Sequence, residues 1–167
     1  MGTLLLHGGT LLTPFEAIRD GAVLAGAGRI ERVGPRAEIV GRADSEIDVG
    51  GRLICPGFVD LQVNGGDGVI LTQEPTAGTL DRIARDHVRF GTTSLLATVT
   101  TAPEERMVRA LEAVASSVDR PPSGARILGA HLEGPFINPS RKGAHDERCI
   151  QPPRRELFER LRAAAGG

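Results

Sequence analysis

Hydrophobic residues in the first third of the chain occur in short runs that glycines interrupt. The runs TLLLHGGTLLT and GAVLAGAGRIERVG begin this pattern, and Ala27-Gly28 divides the second run into residues 22–25 and 29–33. Short apolar runs bounded by glycine turns are typical of β-strands and hairpins. The stretch SEIDVGGRLICPG adds two further strands on either side of Gly50-Gly51. Residues 1–55 are therefore predicted to form a small β module, followed by a second region over residues 56–167.

From Pro56 onward, strand patterns alternate with helical patterns. The predicted strands are GFVDLQVNG, TTSLLATVT and ARILGAHLEG, and a helical pattern follows each of them. Strands that alternate with helices pair in parallel through crossover helices, and the reactive residues of such sheets lie at the carboxyl ends of the strands. Both polar clusters of this region, DLQVNGG and HLEGPF, fall at these ends. The pattern predicts an α/β fold with a functional site there.

The first two predicted helices have recognisable ends. Residues 76–91 repeat apolar residues at helical spacing, and Gly91 is expected to cap this helix at its C-terminus. The second helix opens with Thr101 and Glu104, which have the spacing of a capping box. The third helix begins in PRRELFERLRAAAGG. The apolar stripes expected on the first two helices are Leu80, Ile83, Ala84 and Val88, then Met107, Leu111, Val114 and Val118.

Composition and charge exclude several classes of function. The 167 residues have a formal net charge of −1, and aromatic residues make up 3% with no Trp or Tyr. Nucleic-acid-binding surfaces combine basic patches with stacking aromatic residues, so nucleic acid is not an expected partner. The N-terminus has neither the basic start of a signal peptide nor an apolar run that would span a membrane. Two cysteines make no disulfide framework, and we expect a soluble cytoplasmic protein.

Glu133 is the first candidate for chemistry because it ends the third predicted strand. A carboxylate at that position can bind a metal or act as a general base. It can equally be a surface residue that caps the next turn. His131 lies on the same face of the strand, either as a second ligand or as an orienting histidine.

Further polar candidates lie on the first strand and in the loop after Glu133. Asp60, Gln62 and Asn64 alternate along the strand, and the amides of Gln62 and Asn64 suit hydrogen bonds to a polar substrate or to water on a metal. The alternative is that they are ordinary strand-end polar groups. His145 lies in the loop RKGAH, which is expected to lie away from the Glu133 strand end and whose two cations would attract an anion. An imidazole there suits a sugar or phosphate oxygen, and a solvated loop is the alternative.

Two stretches together carry a resemblance to a known family, CPGFVDLQVNGGDGV and LGAHLEGPFINPSRKGAHD. With these stretches at this distance, the chain resembles the N-terminal portion of the N-acetylglucosamine-6-phosphate deacetylases, of the amidohydrolase superfamily. The resemblance implies a partial (β/α)8 TIM-like barrel of about three strand–helix units, preceded by part of a small β-sandwich. It also implies a homo-oligomeric enzyme of amino-sugar catabolism that acts on a small-molecule amino-sugar phosphate, without a role for nucleic acid or membranes.

The same resemblance implies roles for individual residues. Glu133 would bind one divalent metal ion per subunit, with zinc the expected ion, and water would attack the acetamide carbonyl. Ala144 and His145 would contact the substrate phosphate. Gln62 and Asn64 would bind substrate, and they replace the His-x-His pair that holds a second metal in many amidohydrolases.

The resemblance also implies that residues 1–167 contain only part of the active site. The family's two metal-binding histidines and its catalytic aspartate lie on later barrel strands, which we expect beyond Gly167. A (β/α)8 barrel takes about 250 residues, so residues 1–167 are expected to be an inactive fragment that folds poorly alone. Two rival interpretations stay open: an amidohydrolase that acts on another amide, or a binding remnant without catalytic activity.

Overall fold

The computed structural model describes residues 2–39 and 41–167, which separate into two compact units. The first unit is Met1–Pro56 and the second is Gly57–Gly167. No helix within residues 2–39 and 41–167 combines the length and the apolar character needed to cross a membrane.

The first unit is a five-stranded sheet with a short 3-10 helix at Arg36–Glu38. Its strands are β1 (Leu4–Leu12), β2 (Ala17–Gly26), β3 (Arg29–Pro35), β4 (Ser45–Asp48) and β5 (Leu53–Ile54). The strand order is β3-β2-β1-β4, and β5 also pairs with β1. The predicted hairpin is confirmed: Ala27 and Gly28 have φ values of 49° and 76°, the left-handed pair that a two-residue turn between antiparallel strands requires.

The second unit alternates strands and helices, as the sequence pattern predicts. Its elements are β6 (Phe58–Val63), β7 (Gly65–Gly66), β8 (Val69–Ile70), α1 (Ala77–Val88), β9 (Thr92–Thr100), α2 (Glu104–Val118), β10 (Arg126–Glu133) and α3 (Arg155–Ala164). Strands β6, β9 and β10 form a parallel sheet in the order β10-β9-β6. The central strand β9 is buried because helices pack against it, and Leu95, Ala97 and Val99 have almost no exposed surface. The carboxyl ends of β6 and β10 therefore come to the same edge.

Helix α1 starts where the sequence predicts and ends earlier than expected. Thr76 is its N-cap, and the Thr76 hydroxyl accepts a hydrogen bond from the Thr79 amide at 3.1 Å. The expected C-terminal cap was wrong, because the helix ends at Val88 with Arg89 as its C-cap. Gly91 has φ +93° and turns the chain into β9 instead. Val88, expected in the apolar stripe, lies in this last turn and is 41% exposed.

Helix α2 does not have the predicted capping box. Its N-cap is Pro103, with no side-chain cap, and the helix begins at Glu104. The Thr101 hydroxyl does not reach the helix amides because it contacts the backbone oxygen of Glu133 at the end of β10. A tertiary contact has therefore replaced the local one that the sequence spacing suggested.

A small hairpin, β7–β8, follows β6 and was not predicted from the sequence. Asp67 and Gly68 have positive φ values and form its turn. Helix α1 holds the hairpin, since His87 Nε2 lies 3.0 Å from the Gly65 oxygen and the Asp86 carboxylate accepts from the Asp67 amide at 3.0 Å. The segment around Asn64 is thereby attached to α1.

Candidate functional site

The Glu133 carboxylate lies at the centre of a polar cluster at the carboxyl ends of the parallel strands. Asn64, which directly follows β6, donates from Nδ2 to Glu133 Oε2 at 3.3 Å. His145, in the loop after β10, has its Nε2 3.4 Å from Glu133 Oε1. Carboxyl ends of neighbouring parallel strands meet at one edge of the sheet, which is why residues so distant in sequence come together.

The surroundings of Glu133 favour its charged form. Partial burial would raise the pKa of the carboxyl, since burial disfavours charge. Hydrogen bonds from Asn64 and His145, attraction to the His145 ring and a smaller polar effect of Gln62 outweigh this effect. The pKa of Glu133 is therefore lowered from its ordinary value, and the side chain is a carboxylate near neutral pH.

His145 lies beside Glu133, which corrects an expectation. The position of His145 among the cations of the loop suggested a place away from the strand end. In the structure its side chain is only 14% exposed and is held from both sides, by Glu133 at Nε2 and by the Thr101 hydroxyl at 2.9 Å from Nδ1. The loop folds back over the strand end, a path that short-range patterns do not encode.

Short-range hydrogen bonds shape this loop. Asn138 caps a short 3-10 helix, Pro139–Arg141, by accepting from the Ser140 amide at 3.0 Å. Asp146 caps a second one, Glu147–Cys149, in the same way. Hydrogen bonds from the Arg148 side chain and backbone lower the pKa of Asp146 from 3.8 to about 2. These turns hold His145 between them.

The cluster opens into a cavity of about 800 Å³. Its walls carry acceptors, donors and cations, among them Asn64, Thr101, Arg106, Glu133, Lys142 and His145. Ala144 and Arg141 also line it. Cavities of several hundred Å³ with a few convergent polar groups are the usual form of a small-molecule site.

Two of the sequence candidates have other partners. His131 Nδ1 lies 3.2 Å from the hydroxyl of Thr98, a fully buried residue, so His131 has a structural contact on β9. The Asp60 carboxylate accepts a hydrogen bond from the backbone N–H of Gln62 at 3.0 Å within its own strand. The face shared by His131 and Glu133 therefore does not make a histidine–carboxylate pair in the residues described.

The side chains of this cluster can supply one ligand of a divalent metal site. An ionised carboxylate is a suitable ligand for such an ion, whereas the amides of Gln62 and Asn64 are poor ligands for transition metals. Across residues 2–39 and 41–167, no group of three His, Cys, Asp or Glu side chains is close enough to hold an ion. Glu133 thus fits as one ligand, and the described residues do not complete a cage.

Sequence reasoning missed Thr101 and Arg106 as members of the site. Thr101 comes directly after β9, whose carboxyl end faces the cavity, and this position was the available signal. The capping-box spacing to Glu104 pointed to another role. Arg106 lies in the first turn of α2, and nothing in the local pattern separates it from an ordinary exposed helix residue.

Comparison with known proteins identifies the family. The Amidohydrolase family profile matches residues 53–167. The chain belongs to this family. It is 35% identical over 164 residues to the N-acetylglucosamine-6-phosphate deacetylase of Mus musculus, covering 97% of this chain and 38% of that protein. It is also 35% identical over 162 residues to the N-acetylgalactosamine-6-phosphate deacetylase of Escherichia coli O157:H7, covering 97% of this chain and 39% of that protein.

A solved amidohydrolase has the same fold over nearly the whole chain. A mutant N-acetyl-D-glucosamine-6-phosphate deacetylase from Mycobacterium smegmatis, in complex with N-acetyl-D-glucosamine-6-phosphate, superposes with a TM-score of 0.86 at 30% identity. The match covers 99% of this chain and 42% of that one. The chain thus spans less than half the length of the relatives it matches.

Proposed function

We propose that the chain forms part of a metal-dependent amidohydrolase that removes the acetyl group from N-acetylglucosamine 6-phosphate, giving glucosamine 6-phosphate and acetate. The observation that carries this proposal is the ionised Glu133 at the carboxyl end of β10, between Asn64 and His145 and open to a cavity. The names of its amidohydrolase relatives supply the substrate class.

Glu133 is the metal ligand that this chain contributes. The proposed cofactor is one divalent ion per subunit, zinc by preference, and its remaining ligands and the catalytic aspartate come from outside the residues described. Bound there, such an ion supplies Lewis acidity, which polarises a carbonyl and lowers the pKa of water. The low pKa of Glu133 keeps the ligand charged at neutral pH.

The rest of the cavity is assigned to the sugar phosphate. Asn64 lines the cavity, orients Glu133 through its Nδ2 and presents its amide oxygen to the substrate. Gln62, an exposed residue of β6 two positions before Asn64, is assigned to the substrate as a second amide. His145, which was expected at the phosphate, is assigned instead to a sugar oxygen near Glu133, because its ring lies 3.4 Å from that carboxylate. The Ala144 backbone and the cations of Arg141 and Lys142 line the same cavity and suit the phosphate.

N-Acetylgalactosamine 6-phosphate is the second candidate substrate. The observation that favours it is the equal identity, 35%, to relatives named for each of the two sugars. These sugars differ only in the configuration of one hydroxyl group, so a test has to compare them directly. An amidohydrolase acting on another amide and a non-catalytic remnant are the two remaining candidates for the role of this chain.

The experiment uses the full-length gene product, whatever its length. The protein is stripped with a chelator, reloaded with zinc, and assayed for acetate release from both 6-phosphorylated sugars, with unphosphorylated N-acetylglucosamine as the control. Metal-dependent release from a phosphorylated sugar, well above the control, supports the proposal. A folded, zinc-loaded protein that releases acetate from neither sugar contradicts it and favours a different amide substrate or a non-catalytic role.

The finer architecture is part of the same proposal. The parallel strands β6, β9 and β10 would be the first three of a (β/α)8 barrel, and the five-stranded unit would be part of a β-sandwich. Support comes from their parallel order and from the polar groups at their carboxyl ends. A homo-oligomer in the cytoplasm stays a prediction, and the free thiols of Cys55 and Cys149 are compatible with a reducing compartment.

A further inference from the structure

Arg106 is a cation in the wall of the candidate cavity, and none of the functional assignments above uses it. It lies in the first turn of helix α2, is exposed and lines the same cavity as Glu133 and Lys142. Among residues 2–39 and 41–167, no carboxylate oxygen comes within 4.0 Å of the nitrogens of its guanidinium group. The charge of Arg106 is therefore not neutralised by an ion pair in the part of the chain that the structure describes.

The two carboxylates next to Arg106 in the sequence are bound by another helix. Arg160 of α3 pairs with Glu104 through Nη1, and its Nη2 lies 2.7 Å from Glu105 Oε1. Arg154, which directly precedes α3, places its Nη2 3.9 Å from Glu104 Oε2. Exposed ion pairs contribute little to stability, but these pairs determine where the two acidic side chains lie. The arginines of α3 thus offset the acidic start of α2, and Arg106 keeps its charge for the cavity.

The acidic residues of the cavity wall do not pair with Arg106 either. Glu133 and Asp146 are the two carboxylates that line the cavity in the part of the chain described. Asp146 pairs with Arg148, whose Nη2 lies 2.7 Å from Asp146 Oδ2. Glu133 is the proposed ligand of a divalent cation, so its charge belongs to the metal. An anionic ligand is therefore the partner that the guanidinium of Arg106 can accept.

Two further cations of the cavity, Arg141 and Lys142, come from the loop after β10. Lys142 Nζ lies 3.5 Å from the backbone oxygen of His145, so part of its hydrogen-bonding capacity serves the loop. Arg106 reaches the cavity from a different element, α2. A guanidinium group can donate two parallel hydrogen bonds to a phosphate, which a lysine cannot do. A phosphate monoester carries a charge of about −1.5 to −2 near neutral pH, so it needs more than one cation.

We propose that Arg106 is a specificity-determining residue whose guanidinium group binds the phosphate of the 6-phosphorylated sugar. Its contribution distinguishes this substrate from the unphosphorylated sugar. The inference rests on the proposed function and deepens it, because it adds a residue of α2 to the cations that were assigned to the phosphate. Free phosphate has the same chemistry as the sugar phosphate, so the experiment has to compare the two.

The test measures kcat/KM of the zinc-loaded, full-length gene product for N-acetylglucosamine 6-phosphate and for N-acetylglucosamine. A charge-assisted hydrogen bond is worth roughly 10- to 100-fold, and Arg106→Gln should lower the ratio of the two kcat/KM values by that factor. The kcat/KM for the unphosphorylated sugar should change by less than about twofold, because that sugar has no phosphate. Arg106→Lys keeps the charge without the paired donors, and should fall between Arg106→Gln and the wild type.

Arg109→Gln is the matched control, because Arg109 is an exposed arginine of the same helix that does not line the cavity. This variant should keep the wild-type ratio. An equal fall of the ratio in Arg109→Gln would overturn the inference, since the general charge of α2 would then be responsible and not the position of Arg106.

Calorimetric titration with glucosamine 6-phosphate gives a readout that needs no turnover, and inorganic phosphate serves as the competitor. We expect Arg106→Gln to weaken binding of glucosamine 6-phosphate by a similar factor, and inorganic phosphate to compete with it in the wild-type protein. A folded Arg106→Gln that keeps the wild-type ratio, or the wild-type affinity where turnover is absent, overturns the inference and leaves the proposed function intact. If acetate release is absent while binding of the sugar phosphate depends on Arg106, the proposed function fails and the phosphate site stands.

Discussion

Glu133 and His145 lie side by side in the wall of the candidate cavity, with His145 Nε2 3.4 Å from Glu133 Oε1. One residue ends a parallel strand, and the other lies 12 positions later in a loop that folds back over that strand. The carboxylate and the imidazole have different proposed roles despite their proximity. Glu133 is the proposed metal ligand, and His145 is the proposed contact for the substrate.

Glu133→Gln is expected to lower metal content and activity together in the full-length gene product. An amide is a poor ligand for a transition metal, so the ion loses its only carboxylate from this strand end. Changes to residues that merely support a ligand cost about 10- to 100-fold in metal affinity or activity, and loss of the ligand should cost at least that. Metal analysis by mass spectrometry and acetate release from the phosphorylated sugar measure the two effects.

Glu74→Gln is the control for this substitution, because Glu74 is an exposed glutamate that does not line the cavity. It should keep wild-type metal content and turnover. Normal metal stoichiometry and turnover in Glu133→Gln would remove Glu133 from the ligand set.

His145→Ala is expected to weaken substrate binding and leave the metal bound. The variant loses one hydrogen bond to the sugar, which at about 1 kcal/mol or slightly more corresponds to an approximately 10-fold rise in KM. Glu133 keeps its hydrogen bond from Asn64 and remains in place. Loss of the metal with unchanged KM would be the opposite result, and would make His145 a ligand.

The pair formed by Asp146 and Arg148 in the loop after β10 should make the stability of the protein depend on pH. The pKa of Asp146 is lowered from 3.8 to about 2 in the folded protein. The charged carboxylate therefore contributes its full stabilisation above pH 3.8 and loses it as the pH falls through about 2. Arg148→Gln should therefore lower the unfolding midpoint near neutral pH and have little effect near pH 2. Denaturant unfolding of both proteins across this range measures the difference. An effect of Arg148→Gln that stays constant down to pH 2 would show that the pair is not responsible.

Residues 1–167 expressed alone are expected to be inactive and to aggregate. Phe58, Val59 and Leu61 on β6 are between 56% and 63% exposed, and β6 is an edge strand of the sheet. An exposed edge strand can pair with strands of other chains. Apolar surface that stays in water also lacks the stabilisation of about 25 cal/mol per Å² that burial would give. Size-exclusion chromatography and thermal unfolding test the stability part, and the acetate assay tests the activity part. A monomer that unfolds cooperatively and turns over substrate would contradict both.

Most strands and helices could be predicted from short sequence patterns, because hydrophobic spacing and turn residues are local properties of the sequence. The run TTSLLATVT corresponds to β9 without a shift, since a buried strand bounded by Gly91 and Thr101 has clear limits. Thr101 shows where such reasoning fails. Its spacing to Glu104 fits a cap, yet the contact with Glu133, 32 residues away, determines where its hydroxyl lies.

The candidate site was predicted only in part. Glu133 could be singled out because strand ends in a parallel sheet are predictable, and the same rule indicated Asn64. The meeting of His145 with Glu133 depends on the path of a loop between two 3-10 turns, which hydrogen bonds at Asn138 and Asp146 fix. No periodicity or short motif encodes that path, so the distance between the two side chains had to come from the structure.

The most direct test of Glu133 as a metal ligand beside a substrate-binding His145 is a crystal structure of the full-length gene product with zinc and N-acetylglucosamine 6-phosphate, recorded at the zinc absorption edge. We expect an anomalous peak about 2.0–2.2 Å from a Glu133 carboxylate oxygen, the usual zinc–oxygen distance. We also expect a sugar hydroxyl within hydrogen-bonding distance of His145 Nε2. A fully occupied zinc site elsewhere, with Glu133 free of metal and substrate, would contradict both assignments.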